Sequence, residues 1–446
     1  MEKRTGLQRQ LKLWHVFALG LSLMVPTTVF DTYGIAAGST GGHVPTAYLF
    51  SMAAILFTVL SYAHMVKVFP GAGSAYTYAQ QTFNSSIGFL VGWAALCDYL
   101  FLPMLYALTA EIYLSSLFPE VPSWCWIVLT VLFFTLANIF QVKVTVSFNA
   151  VFVVFQVLIT VVFIALLIRE LLGGTAAGFS LQPFYSASLN WSAVLAGSVI
   201  LSYSFIGFDA LSTLSEETLE PRKTIPRAMI IQTLFLGAMY TAVTYFMQSL
   251  FPDVSIFNDP EGASPEIAQR IGGMLFASVF AAITVTGNMV GGIAAQLSTS
   301  RLLYAMGRDN VIPKKLFGYI HPRTGVPVFN VILAGLFSLS ASFFDLETAI
   351  SFFSFGAYTA FTFVNLSVIA YFIVQKKMRS WRAILFYLAG PMIAISFIAV
   401  LWTHMNGKAL VLGIIWNVCG LVYLLYLTKL FTRQPPRFQF EEHINQ

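Results

Sequence analysis

The chain alternates between long apolar runs and short polar stretches, and the runs have the length that a bilayer demands. A helix rises about 1.5 Å per residue, so crossing a hydrocarbon core takes about 20 mostly apolar residues. Twelve stretches qualify, near 14–39, 45–66, 87–117, 122–140, 147–170, 192–215, 227–250, 271–301, 327–344, 348–374, 384–403 and 409–430. They are numbered here as spans one to twelve. Spans three and eight are long enough to tilt or to extend into the adjoining loops. The pattern predicts an all-α membrane protein that forms one transmembrane domain over 1–446.

The polar stretches set the orientation. Cytoplasmic loops concentrate Lys and Arg. With the N-terminus inside, 21 of the 24 basic residues fall in inner segments, leaving only Arg169, Arg270 and Lys408 outside. One missed span would invert every later loop, so the split supports both the span count and a cytoplasmic location for both ends. The basic start, Met1 to Lys12, imitates a secretory signal. The apolar run after it is too long for one, and it reads as a retained first span. The polar stretch Gly71–Phe83, GAGSAYTYAQQTF, predicts a short interfacial helix. Gly307–Gly325 reads as a basic inner loop rich in turn formers. The outer loop 251–270 carries Asp253, Asp259, Glu261 and Glu266. It is either a solvated loop or a device that concentrates cations near the entrance.

Composition narrows the class. Hydrophobic residues make up 57% of the chain and charged residues 10%, against about 25% charged in soluble domains. A net charge of +5 invites a nucleic-acid reading, but the bases sit in short loops between spans and topology accounts for them. Cys97, Cys125 and Cys419 form no metal or disulfide pattern and read as small packing residues. The six histidines show no ligand spacing. No metal, cofactor or enzymatic constellation is expected, and no filter motif suggests a channel.

Two spans carry breaks at matching positions. Span one reads GLSLMVPTTVFDTYGIAAG. Pro26 removes a backbone donor and disfavours helix at Val25, and Thr27, Thr28, Asp31 and Gly34 follow. Span six reads VILSYSFIGFDALSTLSEET, with Gly207 after Tyr203 and Phe205 and just before Asp209. Breaks in the first helix of each half are the mark of inverted-repeat transporters, because irregular backbone survives in a membrane only where it lines a cavity. The halves would be 14–170 and 192–374, with 384–430 as two further helices.

Four acids lie within spans, Asp31, Asp98, Glu111 and Asp209, and no Lys or Arg lies well inside any span. A carboxylate at mid-membrane costs about 2.5–3.5 kcal/mol, so each acid is protonated, hydrogen-bonded or paired with something brought from outside. Asp98 lies ~16 Å into span three from the inner side, and Asp31 and Asp209 fall beside the breaks. A site shared by these three acids is expected, with Tyr99, Tyr203 and Phe205 offering rings to a cation. Glu111 lies nearer the outer end, as an outer gate or entrance residue. Glu216, with Glu217, stands at the inner end of span six, as a gate, a proton acceptor or a solvated helix end.

These residues resemble the amino acid–polyamine–organocation transporter superfamily. The resemblance rests on GFDALSTLSEET with Pro221 and Ile225-Pro226, on FPGAGSAYTYAQ after span two, and on SRLLYAMGRDNVIPKKL after span eight. Within that superfamily PTTVFDTYGI, DYLFLPM, FPDVSIFNDPEGASPEIA and FGAYTAFTFVNLSV are similar to bacterial putrescine importers. The resemblance implies a LeuT-type core of five plus five inverted helices with spans one and six discontinuous. It also implies proton-driven uptake across a bacterial inner membrane. It places Thr27, Thr28 and Asp31 in the substrate site with Tyr203, Phe205, Gly207 and Asp209, and with Asp98 and Tyr99. Proton coupling or gating would fall to Asp209, Glu216 and Glu111.

The sequence departs from the amino-acid members of the superfamily at two places. Pro-Thr-Thr replaces their glycine-rich break in span one, which weakens a clamp for a carboxylate. Span five, FNAVFVVFQVLITVVFIALL, lacks the lysine that some proton-coupled members carry. The expected substrate is therefore a small organic cation, putrescine first, with an amino-acid permease or exchanger as the alternative. The chain is expected to act as a monomer or weak homodimer.

Overall fold

The computed structural model describes residues 10–70, 74–140, 146–173, 179–253, 256–257, 259–308, 311–322, 325–430 and 432. Among them the regular elements are helical, and a single bridge joins Leu11 to Thr218. Among the described residues nine helices are long and apolar enough to cross a membrane, and a bent pair at span one makes a tenth. Two shorter apolar helices, Ser123–Ile139 and Val328–Phe343, fall at predicted spans four and nine.

The helices follow the predicted stretches with shifted ends. Span one is Leu13–Met24 plus Thr28–Thr40, span two Val44–Val68, span three Ser85–Leu117 and span five Val146–Leu172. Span seven starts at Pro221, six residues earlier than expected, because Pro suits the first helical turn, where its missing donor costs nothing. Span eight runs Ala263–Arg308 and is interrupted at Gly273, whose φ of 73° no helix contains. Span ten is Leu346–Val368, continued to Gln375 as π-helix. Span eleven ends as Gly390–Thr403 and span twelve is Gly407–Leu427. The expected interfacial helix forms as Ser74–Thr82. It does not lie free at the surface: Tyr78 and Ala79 are fully buried, and the helix packs on spans three and ten. Residues 71–73 of that stretch, both chain ends and part of the 307–325 loop lie outside the described residues.

Span two packs on seven, three on eight and four on nine. Span one touches five and seven, while span six touches ten and two. Span three sits at the centre, and residues Pro103–Ala110 are buried without interruption. It is fastened to span twelve by a reciprocal clasp. The Trp93 indole donates to the Trp416 carbonyl at 2.9 Å, and the Trp416 indole donates to the Trp93 carbonyl at 2.8 Å.

Candidate functional site

The two broken spans meet backbone to backbone. Span one bends by 43° between its halves, and Val25 takes up φ 45° and ψ 97°. Pro26 causes this, since it has no amide proton and excludes helical geometry from the residue before it. The Thr28 hydroxyl donates to the Met24 and Val25 carbonyls at 3.0 and 2.5 Å, replacing part of the lost ladder. Span six is helical over Trp191–Ser202, tightens to a 3₁₀ turn at Tyr203–Phe205 and resumes at Asp209–Glu216. Between them Ile206 is extended and Gly207 has φ 117°. A Cβ on Gly207 would stand 3.3 Å from the Leu23 carbonyl oxygen. Glycine is thus required twice, for its backbone angle and for the closeness of the other break. Tyr106 of span three donates to the same Leu23 carbonyl at 3.2 Å.

Asp31 lies just outside this crossing. It is 2% exposed and occupies the first turn of the second half-helix, where the amide end of the helix favours negative charge. Its Oδ1 has no hydrogen-bond partner, and neither do the hydroxyls of Thr27, Thr32, Tyr33 and Tyr113, all of them buried. The Tyr113 hydroxyl approaches the Asp31 carboxyl without closing a hydrogen bond. Tyr48, Tyr106, Tyr203 and Tyr240 lie within electrostatic reach of it. A buried polar group left unpaired costs about 1–3 kcal/mol. Five such groups around one break mark a place that a polar ligand or water completes.

Asp98 and Asp209 form a separate centre. They act on each other electrostatically, and both act on Tyr62 and Tyr99. Tyr78 joins them from the short helix. The Gly207 amide donates to the Asp209 carboxyl at 3.3 Å. On span ten a Cβ at Gly356 would come within 2.8 Å of the Asp98 amide nitrogen, so that helix closes directly over Asp98. Asp209 and Tyr99 keep accessible surface although they lie deep along the chain's helices. None of the three acids pairs with a Lys or Arg among the described residues.

Asp31 and the Asp98–Asp209 pair thus act on different tyrosines. Asp31 follows the break in span one, on the half that packs on Trp191–Ser202, whereas Asp209 follows the break in span six, on the half that packs on Leu13–Met24. Of the other expected residues, Thr27, Tyr203 and Gly207 gather at the crossing. Thr28 spends its hydroxyl on the backbone. Phe205 packs on two of the rings around Asp31, 6.1 Å from Tyr48 and 5.6 Å from Tyr240 between ring centroids. Glu111 accepts a hydrogen bond from Ser115 at 2.8 Å and lines a cavity of about 900 Å³ with Asp259, Glu261 and Glu266. The Glu216 side chain lies outside the described residues.

Sequence reasoning missed Tyr113, Tyr106, Tyr62 and Tyr78. For the first two a signal was present. Tyr99, Tyr106 and Tyr113 recur every seven residues, which places them on one face of span three with only a slight drift. That face runs from the Asp98–Asp209 centre, past the crossing, to Asp31.

Comparison with known proteins matches residues 15–430 to the amino acid permease family model. A low-affinity putrescine importer of Escherichia coli strain K12 is 43% identical over 442 residues, covering 98% of this chain and 97% of that protein. A branched-chain amino acid permease of Bacillus subtilis strain 168 is 25% identical, covering 95% and 94%. A solved sodium-coupled sialic acid symporter, in a substrate-bound outward-open state, shares the fold with a TM-score of 0.56 at 11% identity. That match covers 88% of this chain and 89% of the symporter.

Proposed function

The chain belongs to the amino acid permease family, a multi-pass membrane transporter family, and from that premise we propose that it imports putrescine by proton symport through alternating access. Its setting is a bacterial inner membrane with both ends in the cytoplasm. The two five-helix repeats, 14–170 and 192–374, rock about the crossing of spans one and six. The observation that carries the reading is the Asp31 carboxyl, buried among unpaired hydroxyls with no basic partner among the described residues. A substrate ammonium supplies the missing charge there, and the surrounding tyrosines offer hydroxyls and ring faces. Pro26 at the break removes an amide that an amino-acid carboxylate would need. The strong similarity to a putrescine importer supports the same substrate.

The second centre takes a different part. Two facing carboxyls without a base are best satisfied by a proton held between them, and Asp209 sits on the inner half of a broken helix, where a proton can be passed on as that half moves. Asp98 and Asp209 thus serve coupling and Asp31 serves recognition.

Purified protein in proteoliposomes tests both parts. With an acid exterior, labelled putrescine accumulates several-fold above the level reached without a pH gradient, and unlabelled diamines compete while branched-chain amino acids do not. The reverse competition pattern makes the protein an amino-acid permease. Asp98→Asn and Asp209→Asn variants lose gradient-driven accumulation and keep putrescine counterflow. Loss of counterflow as well would move the pair into the substrate site.

A further inference from the structure

The outer mouth contains a device that the transport reading does not use. After span seven the chain reaches Asp259–Gly262 and enters the first piece of span eight, which ends at the non-helical Gly273. This unit docks through Ala263, Ile267 and Ala268, all fully buried, and Arg169 of span five donates to the Ile271 carbonyl at 2.8 Å beside the hinge. Two further contacts hold its far end. Pro260 presses on span one, where a Cβ at Gly34 would lie 2.0 Å from the Pro260 carbonyl oxygen. The Glu261 carboxyl accepts a hydrogen bond from the Leu346 amide at 3.1 Å, at the start of span ten. Glu261 therefore joins the unit to span ten across the rim of the cavity that Glu111 lines, and Gly273 frees it from the rest of span eight.

The charges around that contact are nearly all of one sign. Asp259 lies on the same segment, Asp345 on span ten and Glu111 on span three, and all three act on Glu261. Glu347 lies beyond Asp345, and it too is half-buried. Among the described residues, two cations lie on or against this unit and both are engaged by other groups: Arg270 by Glu266 at 2.6 Å, and Arg169 by Glu170 at 2.6 Å and by the Ile271 carbonyl.

We propose that residues 259–272 form a proton-operated flap over the outer mouth, hinged at Gly273 and latched to span ten by Glu261. A protonated carboxyl keeps its carbonyl oxygen for the Leu346 amide and brings no fourth charge among the acids. An ionised one is repelled by them and favours release.

Burial, with the acids beside it, lifts Glu261 from 4.5 to about 7. When released into water it returns to the ordinary value. The docked state therefore holds more protons between those two values, so acid favours docking. Docking is fully favoured below about pH 4.5, is lost as pH rises toward 7, and changes no further above that. Within the window each pH unit moves the docked-to-released ratio by up to about tenfold.

Spin labels at Gln269→Cys and Phe343→Cys, both exposed positions, report the flap in protein whose three native cysteines are replaced. The expected result is one short distance at pH 5 and a growing longer population by pH 8. Glu261→Gln, a neutral side chain with the same acceptor, stays at the short distance throughout. A wild-type protein without pH response, a Glu261→Gln variant that responds as wild type does, or one that stays at the long distance overturns the proposal. The readout involves no substrate, so it stands or falls apart from the putrescine reading.

Discussion

Replacing Asp31 by Asn lowers putrescine uptake about a hundredfold or more and leaves the protein folded. Removing one partner of a buried charge pair costs about 3–5 kcal/mol, and each 1.4 kcal/mol is tenfold in affinity. The opposing effect is small for transport and favourable for folding. A carboxylate in the membrane interior costs about 2.5–3.5 kcal/mol, and the Asn amide carries no charge. The melting temperature of the variant is therefore equal to or above that of wild type, which separates lost recognition from lost structure. Asp31→Glu keeps the charge on a longer arm in a sealed site and recovers only part of the rate. Initial uptake rates and thermal unfolding of the three proteins check this. An Asn variant that transports within threefold of wild type removes Asp31 from recognition.

Gly207→Ala gives the second large effect, an uptake loss of about tenfold or more with a lower melting temperature. The residue sits at φ 117°, a region nearly closed to side chains, and forcing one there costs about 1–3 kcal/mol. Its Cβ would also meet the Leu23 carbonyl at 3.3 Å. That neighbour is backbone already held by the Tyr106 hydroxyl, so it cannot swing aside as a side chain would. The strain resolves by parting the two breaks. The start of span one and the end of span six are pinned to each other, with the Leu11 amide donating to the Glu217 carbonyl at 3.0 Å and the Leu219 amide to the Leu11 carbonyl at 2.8 Å. Separation at the crossing is thus opposed from below. Transport and unfolding measured on one preparation check the prediction, and a variant unchanged in both overturns it.

Much of the fold was legible because lipid leaves few choices. Apolar length located the helices, and Pro26 and Gly207 announced their breaks through local backbone chemistry. Partnership between helices was not legible to the same degree. Span three is buried on almost every side from Pro103 to Ala110, so no polar stripe shows which neighbour each acid meets. Asp98 could be placed by depth, but its pairing with Asp209 rather than Asp31 depends on how spans one and six cross. Glu261 looked like a solvated loop acid, and only contact with Leu346, 85 residues later, takes it out of water. The π-helical turn after Val368 follows no glycine or proline, so no local breaker foretold it.

The break in span one also bears on how the protein is made. Its halves have 12 and 13 residues, about 18 and 20 Å of helix, and neither reaches across the roughly 30 Å of hydrocarbon. The freed backbone groups between them cannot face lipid. Their shelter comes from Tyr106 and from the neighbourhood of Gly207, residues that the ribosome adds much later. Span one is thus made well before it can settle, and the nascent chain must be held in a protected setting until span six arrives.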